Sequence, residues 1–282
     1  MRASAAFPPP DETTASSPLW ILRVGVAACF IGHGMLGINQ TAAWTSYFAV
    51  VGISQQPAMT LMPWVGAFDV AMGLSVLFHP LRGVVFYMAV WALWTALLRP
   101  LAGEPFWEAV ERAGNYGSPF ALYLSSTRAC GIATGFGGQC RETIEAWRHP
   151  SVAWTLRLTT AFELFGHGAL GCAIHKAVFA AQYTLIGLPG ATAEPMIGAF
   201  ECLLALAVLL RPGRTLLLGV VGWKLATEAL YPMSGSSLWV FVEHGGSYAA
   251  PLALVFIDHE TRLAHAASAS MPARRFWILP HD

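Results

Sequence analysis

The chain has 282 residues, of which 55% are hydrophobic and only 11% are charged, and its formal net charge is zero. Charged residues make up about a quarter of an ordinary soluble domain, so this composition excludes that class and indicates a membrane protein embedded in a lipid bilayer. The lack of net positive charge argues against a nucleic-acid partner. The sequence also carries no phosphate loop, dinucleotide fingerprint or nucleophile elbow.

The apolar runs predict eight transmembrane helices. Residues 1–17, which include three consecutive prolines, have the composition of a disordered tail. Runs approaching the roughly 20 residues that cross a bilayer follow at 18–38, 62–79, 83–100 and 116–126, and then at 152–173, 195–210, 214–232 and 238–257. Residues 127–151 form a linker between the two sets, and 259–282 form a polar, basic tail. The predicted fold class is therefore an all-α polytopic membrane protein.

The two sets of runs repeat each other in sequence. Gly32-His33-Gly34 returns as Gly166-His167-Gly168, and a shift of 132 positions matches the pairs Asp69 and Glu201, Trp91 and Trp223, and Glu111 and Glu243. A repeat of this length is too long for a solenoid unit and indicates duplication of a small domain. We name 18–126 the first segment and 152–258 the second segment. Short turns within each segment predict two up-down-up-down four-helix bundles, related as parallel repeats.

The placement of basic residues predicts the orientation. With a cytoplasmic N-terminus, only Arg99, Arg112, Lys176 and Lys224 of the 16 basic residues fall on the outer side. The positive-inside rule then places both termini in the cytoplasm. In this orientation almost every ionisable group of the spans lies in the outer half of the membrane, and the inner half is nearly bare.

These intramembrane polar groups are the candidate site residues, because a charge at membrane depth costs about 2.5–3.5 kcal/mol on the insertion scale and normally pairs or faces a cavity. The second segment carries more of them, so we predict the working site there and a partly structural first segment. Lys224 and Glu228 share one helix face, which we expect to look toward Glu201. The candidate catalytic residues are Glu243, Lys224 and Glu228. The candidate binding residues are His167, Lys176, Glu201, His244, His33, Asp69 and Glu111. The cysteine spacing offers no C-x-x-C pair for a metal, and none is predicted.

Each signal also has a simpler interpretation. The glycines beside His33 and His167 permit close helix packing, and the histidines can simply hydrogen-bond across a bundle. The functional alternatives are that the two histidines ligate one haem or line a quinone pocket. Glu111 and Glu243 precede a span and can cap its exposed amides. Glu243, next to His244, can alternatively exchange protons. A Glu201–Lys224 contact can be a buried ion pair that only orders the bundle.

The second segment resembles the DoxX family of small four-helix membrane proteins. The resemblance rests on Gly166-His167-Gly168, Lys176, Gly187-Leu188-Pro189, Glu201 and Leu210-Arg211-Pro212. The first segment departs from the pattern, with Asn39-Gln40 near the lysine position, Asp69 for the glutamate and no proline after Ile53. The resemblance implies a bacterial inner-membrane location and an association with membrane redox complexes, including a quinone-reducing system.

Three functions follow as hypotheses, and whether the chain is an enzyme stays open. The first is a redox-associated subunit with an outer-leaflet pocket for a quinone or a small polar substrate, working with a protein partner or as a homo-oligomer. It predicts a cavity lined by the second-segment groups, and pairing of those groups in a closed core would count against it. The second is a non-catalytic assembly or scaffold subunit. The third is a small-molecule transporter, for which the bare inner half supplies no polar steps.

Overall fold

The computed structural model describes residues 17–130, 147 and 149–270, and within these ranges it leaves out the side chains of 17, 127–130 and 258–270. The predicted N-terminal tail, most of the predicted linker and the end of the predicted C-terminal tail lie outside the described residues.

Every secondary-structure element in the described part is helical, which confirms the all-α prediction. In the first segment the helices are α1 (Ser17–Ile38), α2 (Thr45–Val50), α3 (Gln55–Phe78), α4 (Arg82–Leu101), α5 (Trp107–Glu111) and α6 (Ala113–Cys130). In the second they are α7 (Pro150–Ala169), α8 (Ala177–Leu185), α9 (Gly190–Leu210), α10 (Arg214–Met233), α11 (Leu238–Glu243) and α12 (Gly245–Ser270). A π-helical turn, Leu170–Ile174, extends α7. Each of the eight predicted spans overlaps one long helix.

Within the described residues, five helical stretches are long and apolar enough to cross a membrane: Pro18–Ile38, Gln55–Phe78, Arg82–Leu101, Gly190–Leu210 and Leu238–Ile257. A sixth is formed if α7 with its π turn and α8, which meet at a bend of 97°, count as one span. The helix α10 carries three charged residues, and α6 is rich in serine and glycine. A multi-pass membrane protein is thus supported, with five to six candidate spans where the sequence predicts eight.

The outer helices expose large apolar side chains. Trp64 on α3 is 75% exposed and Leu203 on α9 is 66% exposed, and both have further exposed apolar neighbours. Soluble monomers rarely expose large contiguous apolar patches, whereas a bilayer solvates such faces without cost. The outer helices α3, α4 and α9 are candidate spans, and so are the more buried stretches Pro18–Ile38 and Leu238–Ile257.

The two segments interlock at the centre of the molecule. The helix α12 contacts α1, α6 and α7 there, and α6 also contacts α1 and α7. From outside, α3 packs on α1, α4 on α6, α9 on α7 and α10 on α12. The closest partners of α1 are α3 and the second-segment helix α12, and α7 likewise contacts the first-segment helix α6. This differs from two independent side-by-side bundles. Leu22, Leu122, Leu156 and Ala250 form part of the shared buried core.

Two glycines explain why the segments approach so closely. A Cβ atom on Gly32 would lie 2.3 Å from the backbone nitrogen of Glu243, and a Cβ atom on Gly166 would lie 2.3 Å from that of Glu111. Only glycine permits backbones to touch in this way. The contact at Gly32 therefore brings Glu243 of the second segment beside His33. The contact at Gly166 brings the backbone of Glu111 to the helix that carries His167, although His167 itself pairs with Glu201 of its own segment.

Candidate functional site

The first polar cluster combines residues of both segments: His33, Asp69, Arg112 and Glu243. His33 Nδ1 lies 3.0 Å from Glu243 Oε1, and Arg112 Nη1 donates to the same oxygen at 2.6 Å. His33 Nε2 lies 3.9 Å from Asp69 Oδ2. The ring of His33 stacks on Trp44, with 4.5 Å between centroids. The expected position of Glu243 beside Lys224 and Glu228 is thus corrected, because the contact at Gly32 holds Glu243 against the first segment.

The second polar cluster is larger and fully buried. Lys224 Nζ lies 2.5 Å from Glu228 Oε1 and 3.4 Å from Glu163 Oε1. His244 Nδ1 lies 3.0 Å from the other Glu228 oxygen, and its Nε2 lies 3.8 Å from Glu111 Oε1. All five side chains are at most 3% exposed. Glu111, from the first segment, therefore completes a second-segment cluster through ion-pair contacts.

His167 and Glu201 form a separate pair next to this cluster. His167 Nδ1 and Glu201 Oε2 are 2.5 Å apart, and Trp223 Nε1 donates to Glu201 Oε1 at 2.8 Å. The phenyl ring of Phe179 covers the imidazole at a centroid distance of 4.3 Å. The expected Glu201–Lys224 contact is not among the ion pairs of the described residues, because Lys224 is held by Glu228 one turn along its own helix.

Lys176 lies apart from both clusters. It pairs with Glu108 of the first segment at 2.6 Å, and Arg99 reaches Glu108 at 3.5 Å and Glu104 at 3.0 Å. The Tyr47 hydroxyl donates to Glu104. Burial raises the pKa of Tyr47 above its ordinary value, so the phenol stays neutral. These contacts join the two segments at a partly exposed position. Lys176 was expected to pair with the carboxylates of the second segment, and it pairs with Glu108 of the first segment instead.

A cavity of about 290 Å³ lies beside the first polar cluster. His33, Asp69, Arg112 and Glu243 of the first polar cluster form its polar end, and Arg99 and Asn115 also line it. Most of the remaining wall is apolar and comes from Trp44, Phe48, Val51, Ile53, Leu61, Met62, Val65, Trp94 and Leu98. The sequence predicts a cavity at the second-segment residues, and the structure places this one mainly against the first segment.

The difference between the two segments follows from side-chain size. The cavity is lined by Ala92 and Ala96, and the shift of 132 positions matches these two with Lys224 and Glu228. In the second segment those long side chains are buried within the polar cluster, whereas two methyl groups leave the corresponding space open. The long charged side chains of Lys224 and Glu228 therefore occupy the interior of the second segment. The catalytic roles of Glu243, Lys224 and Glu228 stay a prediction.

Some carboxylates with polar contacts escaped the sequence reasoning. Glu163, Glu194 and Glu108 are at most 4% exposed, and the partly exposed Glu104 contacts Arg99. Glu163 stands within an apolar run, between Phe162 and Leu164. A carboxylate in such a run is itself a signal of a buried polar contact.

In the part of the chain that the structure describes, one group of side chains meets the geometric condition for a metal ion. Single ligand atoms of Glu111, Glu228 and His244 all lie within 4.8 Å of one another. The ammonium of Lys224, 2.5 Å from Glu228, already supplies a cation at this place. We therefore interpret the group as an ion-pair network. The polar end of the cavity, in contrast, offers both donors and acceptors to a ligand.

Comparison of the chain with protein-family models, with curated proteins and with solved structures gives no match.

Proposed function

We propose that this protein binds a quinone-type ring compound in the cavity of the first segment, as a membrane subunit associated with redox chemistry. The observation that carries the proposal is the cavity itself, which has a polar end at His33 and Asp69 and a mostly apolar remainder. Small-molecule sites begin at roughly 300 Å³ and combine apolar walls with a few polar groups. A single substituted ring is of this size class.

The route into the cavity favours a ligand that arrives from the bilayer. Val51, Leu61 and Trp94 line the cavity and are also 51%, 43% and 39% exposed. These residues belong to or adjoin α2, α3 and α4, whose outer faces are apolar. A small polar substrate would cross that apolar rim at a cost in desolvation. An amphipathic ring compound would place its apolar tail there.

We further propose that the chain is a tandem DoxX-like duplication with eight spans and both termini in the cytoplasm of a bacterial inner membrane. The repeated Gly-His-Gly sequence supports this, since Gly32 and Gly166 make the same kind of contact with the opposite segment. The eight long helices and the asymmetric placement of arginine support it as well. A protein partner or a homo-oligomer belongs to the same proposal.

Filling the cavity tests the binding proposal. Ala96 is 3% exposed and lines the cavity, so Ala96→Leu places three additional carbons in the ligand space. We expect at least tenfold weaker binding of a short-chain ubiquinone to the protein in mild detergent, measured by equilibrium titration and by native mass spectrometry. The melting temperature should hold or rise, because a filled void regains packing contacts.

Ala89 supplies the matched control. It lies on the same helix, is 6% exposed and is absent from the cavity lining of the described residues. Ala89→Leu should overpack the core at a cost of about 1–3 kcal/mol while binding per folded molecule stays unchanged. Unaltered quinone binding by the Ala96→Leu variant, or no binding by the wild type, would contradict the proposal.

A scaffold subunit is the second candidate function. It is favoured by the ion pairs Arg112–Glu243, His244–Glu111 and Lys176–Glu108, each of which joins the two segments. Such pairs order the assembly whether or not a ligand binds. A wild-type protein that binds no quinone and co-purifies with a second chain would favour this function.

A further inference from the structure

The carboxylate of Asp69 is buried beside the cavity, and His33 and the indole of Trp91 are its neighbours within the protein. Asp69 is 1% exposed, and neither of its oxygens makes a hydrogen bond of normal geometry to a described residue. Its nearest cationic atom, His33 Nε2, is 3.9 Å away, beyond hydrogen-bond distance. A buried acceptor without a donor is costly, so this oxygen pair is suited to accept a hydrogen bond from a ligand.

The equivalent position in the second segment shows what Asp69 is missing. Glu201 accepts from Trp223 Nε1 at 2.8 Å and contacts His167 Nδ1 at 2.5 Å. Asp69 is one methylene shorter, and the indole of Trp91 interacts with it without the normal hydrogen-bond geometry that Trp223 has toward Glu201. His33 meanwhile directs its Nδ1 to Glu243. The contacts that are close at Glu201 are therefore weaker at Asp69, whose carboxylate can accept a further hydrogen bond from a ligand in the cavity.

The neighbours of His33 fix which of its nitrogens can receive a proton. Glu243 Oε1 accepts from the Arg112 guanidinium at 2.6 Å, so this carboxylate is ionised and can only accept. The Nδ1 atom of His33, 3.0 Å away, must then carry the hydrogen of that contact. In the neutral imidazole the Nε2 atom, on the Asp69 side, is left as an acceptor.

We infer that the Asp69 carboxylate, beside His33 Nε2, accepts a hydrogen bond from a ring hydroxyl, so that the cavity selects a hydroquinone or another phenol over the corresponding quinone. This inference rests on the proposed function and names the form of its ligand. A ring hydroxyl carries one hydrogen, and Asp69, as the charged acceptor, makes the stronger hydrogen bond of the two acceptors, which lie 3.9 Å apart. A quinone carbonyl carries no hydrogen and would face two acceptors. A hydroxyl donates to one of them.

The test compares two redox-matched probes in the absence of oxygen: a short-chain benzohydroquinone and its dimethyl ether, which lacks the O–H groups. We expect the wild type to bind the hydroquinone about ten- to a hundredfold more tightly, the value of one hydrogen bond to a charged acceptor. In the Asp69→Asn variant the preference should fall below threefold. Binding of the parent quinone should hold or improve, because the amide can donate to a carbonyl.

Glu201→Gln is the matched control, since Glu201 has its partners within the protein. It should leave the preference for the hydroquinone unchanged. Melting of Asp69→Asn should match the wild type or improve, which separates a binding effect from misfolding.

Equal binding of the two probes to the wild type, with Ala96→Leu still weakening both, would overturn this inference and leave the proposed function standing. Tighter binding of the quinone than of the hydroquinone would also overturn it, because Asp69 would then act as a protonated donor. Binding of none of the three compounds would overturn both proposals.

Discussion

Replacing Lys224 with methionine tests whether the second polar cluster is the buried ion-pair network that the structure describes. The change keeps most of the side-chain volume and removes the ammonium that contacts Glu228 at 2.5 Å and Glu163 at 3.4 Å. Glu228 retains His244 at 3.0 Å. Glu163 has no other ion pair within the described part of the chain, so its carboxylate is left buried and unpaired.

The magnitude follows from what a stranded carboxylate can do. Taking up a proton at pH 7 costs a carboxyl group of ordinary pKa about 3.5 kcal/mol. Removing one partner of a buried pair typically costs about 3–5 kcal/mol. We therefore expect Lys224→Met to lower the free energy of unfolding by about 3–5 kcal/mol, measured by titration of the micelle-solubilised protein with dodecyl sulfate and followed by circular dichroism.

Two further variants make this result specific. Arg214→Met removes an exposed charge from the same helix and should change the free energy of unfolding by no more than about 0.5 kcal/mol. The double change Lys224→Met with Glu163→Gln should recover part of the loss, because the unpaired charge is gone. A loss below about 1 kcal/mol in Lys224→Met alone would refute the buried network.

The remaining predictions concern the contact between the segments and the orientation in the membrane. Gly32→Ala and Gly166→Ala should each lower the free energy of unfolding by about 1–3 kcal/mol, because the added Cβ meets a backbone atom at 2.3 Å. Gly219→Ala, whose Cβ would meet nothing within 4 Å, is the control, and similar melting temperatures for all three variants would contradict the packing argument. Reporter domains fused to the N-terminus and to the C-terminus should both be active on the cytoplasmic side only. A C-terminal reporter active on the outer side would contradict the proposed even number of spans.

The position of the helices was predictable from the sequence, whereas their identity as spans was predictable only in part. Apolar runs locate helices well, because a bilayer or a core of this size demands about 20 consecutive apolar residues. Apolar runs do not show whether a helix with charged residues crosses the bilayer. In α10, Lys224 and Glu228 are buried against other helices, which the hydropathy of one helix does not report.

Eight of the ten candidate residues are buried polar groups, and His33 and Lys176 are partly exposed, but the partners of several were not predicted. The sequence grouped Glu243 with the other charged residues of the second segment because it lies in that segment, next to His244. Its partners, Arg112 and His33, are 131 and 210 residues away. Ion pairs of this separation depend on which helix backbones meet, and no spacing rule within a helix predicts them.

By itself, the sequence determined that this is a helical, apolar chain with stretches long enough to cross a membrane and a few polar groups among them, since composition and local periodicity suffice for that. Only the tertiary structure decided that the two segments interlock, that His33 faces Glu243 of the other segment while His167 faces Glu201 of its own, and that the open space lies mainly in the first segment. The physical reason is volume: whether a buried position holds a cavity or an ion pair depends on what neighbouring helices place there. At this site, alanine leaves the space that lysine and glutamate fill in the other half.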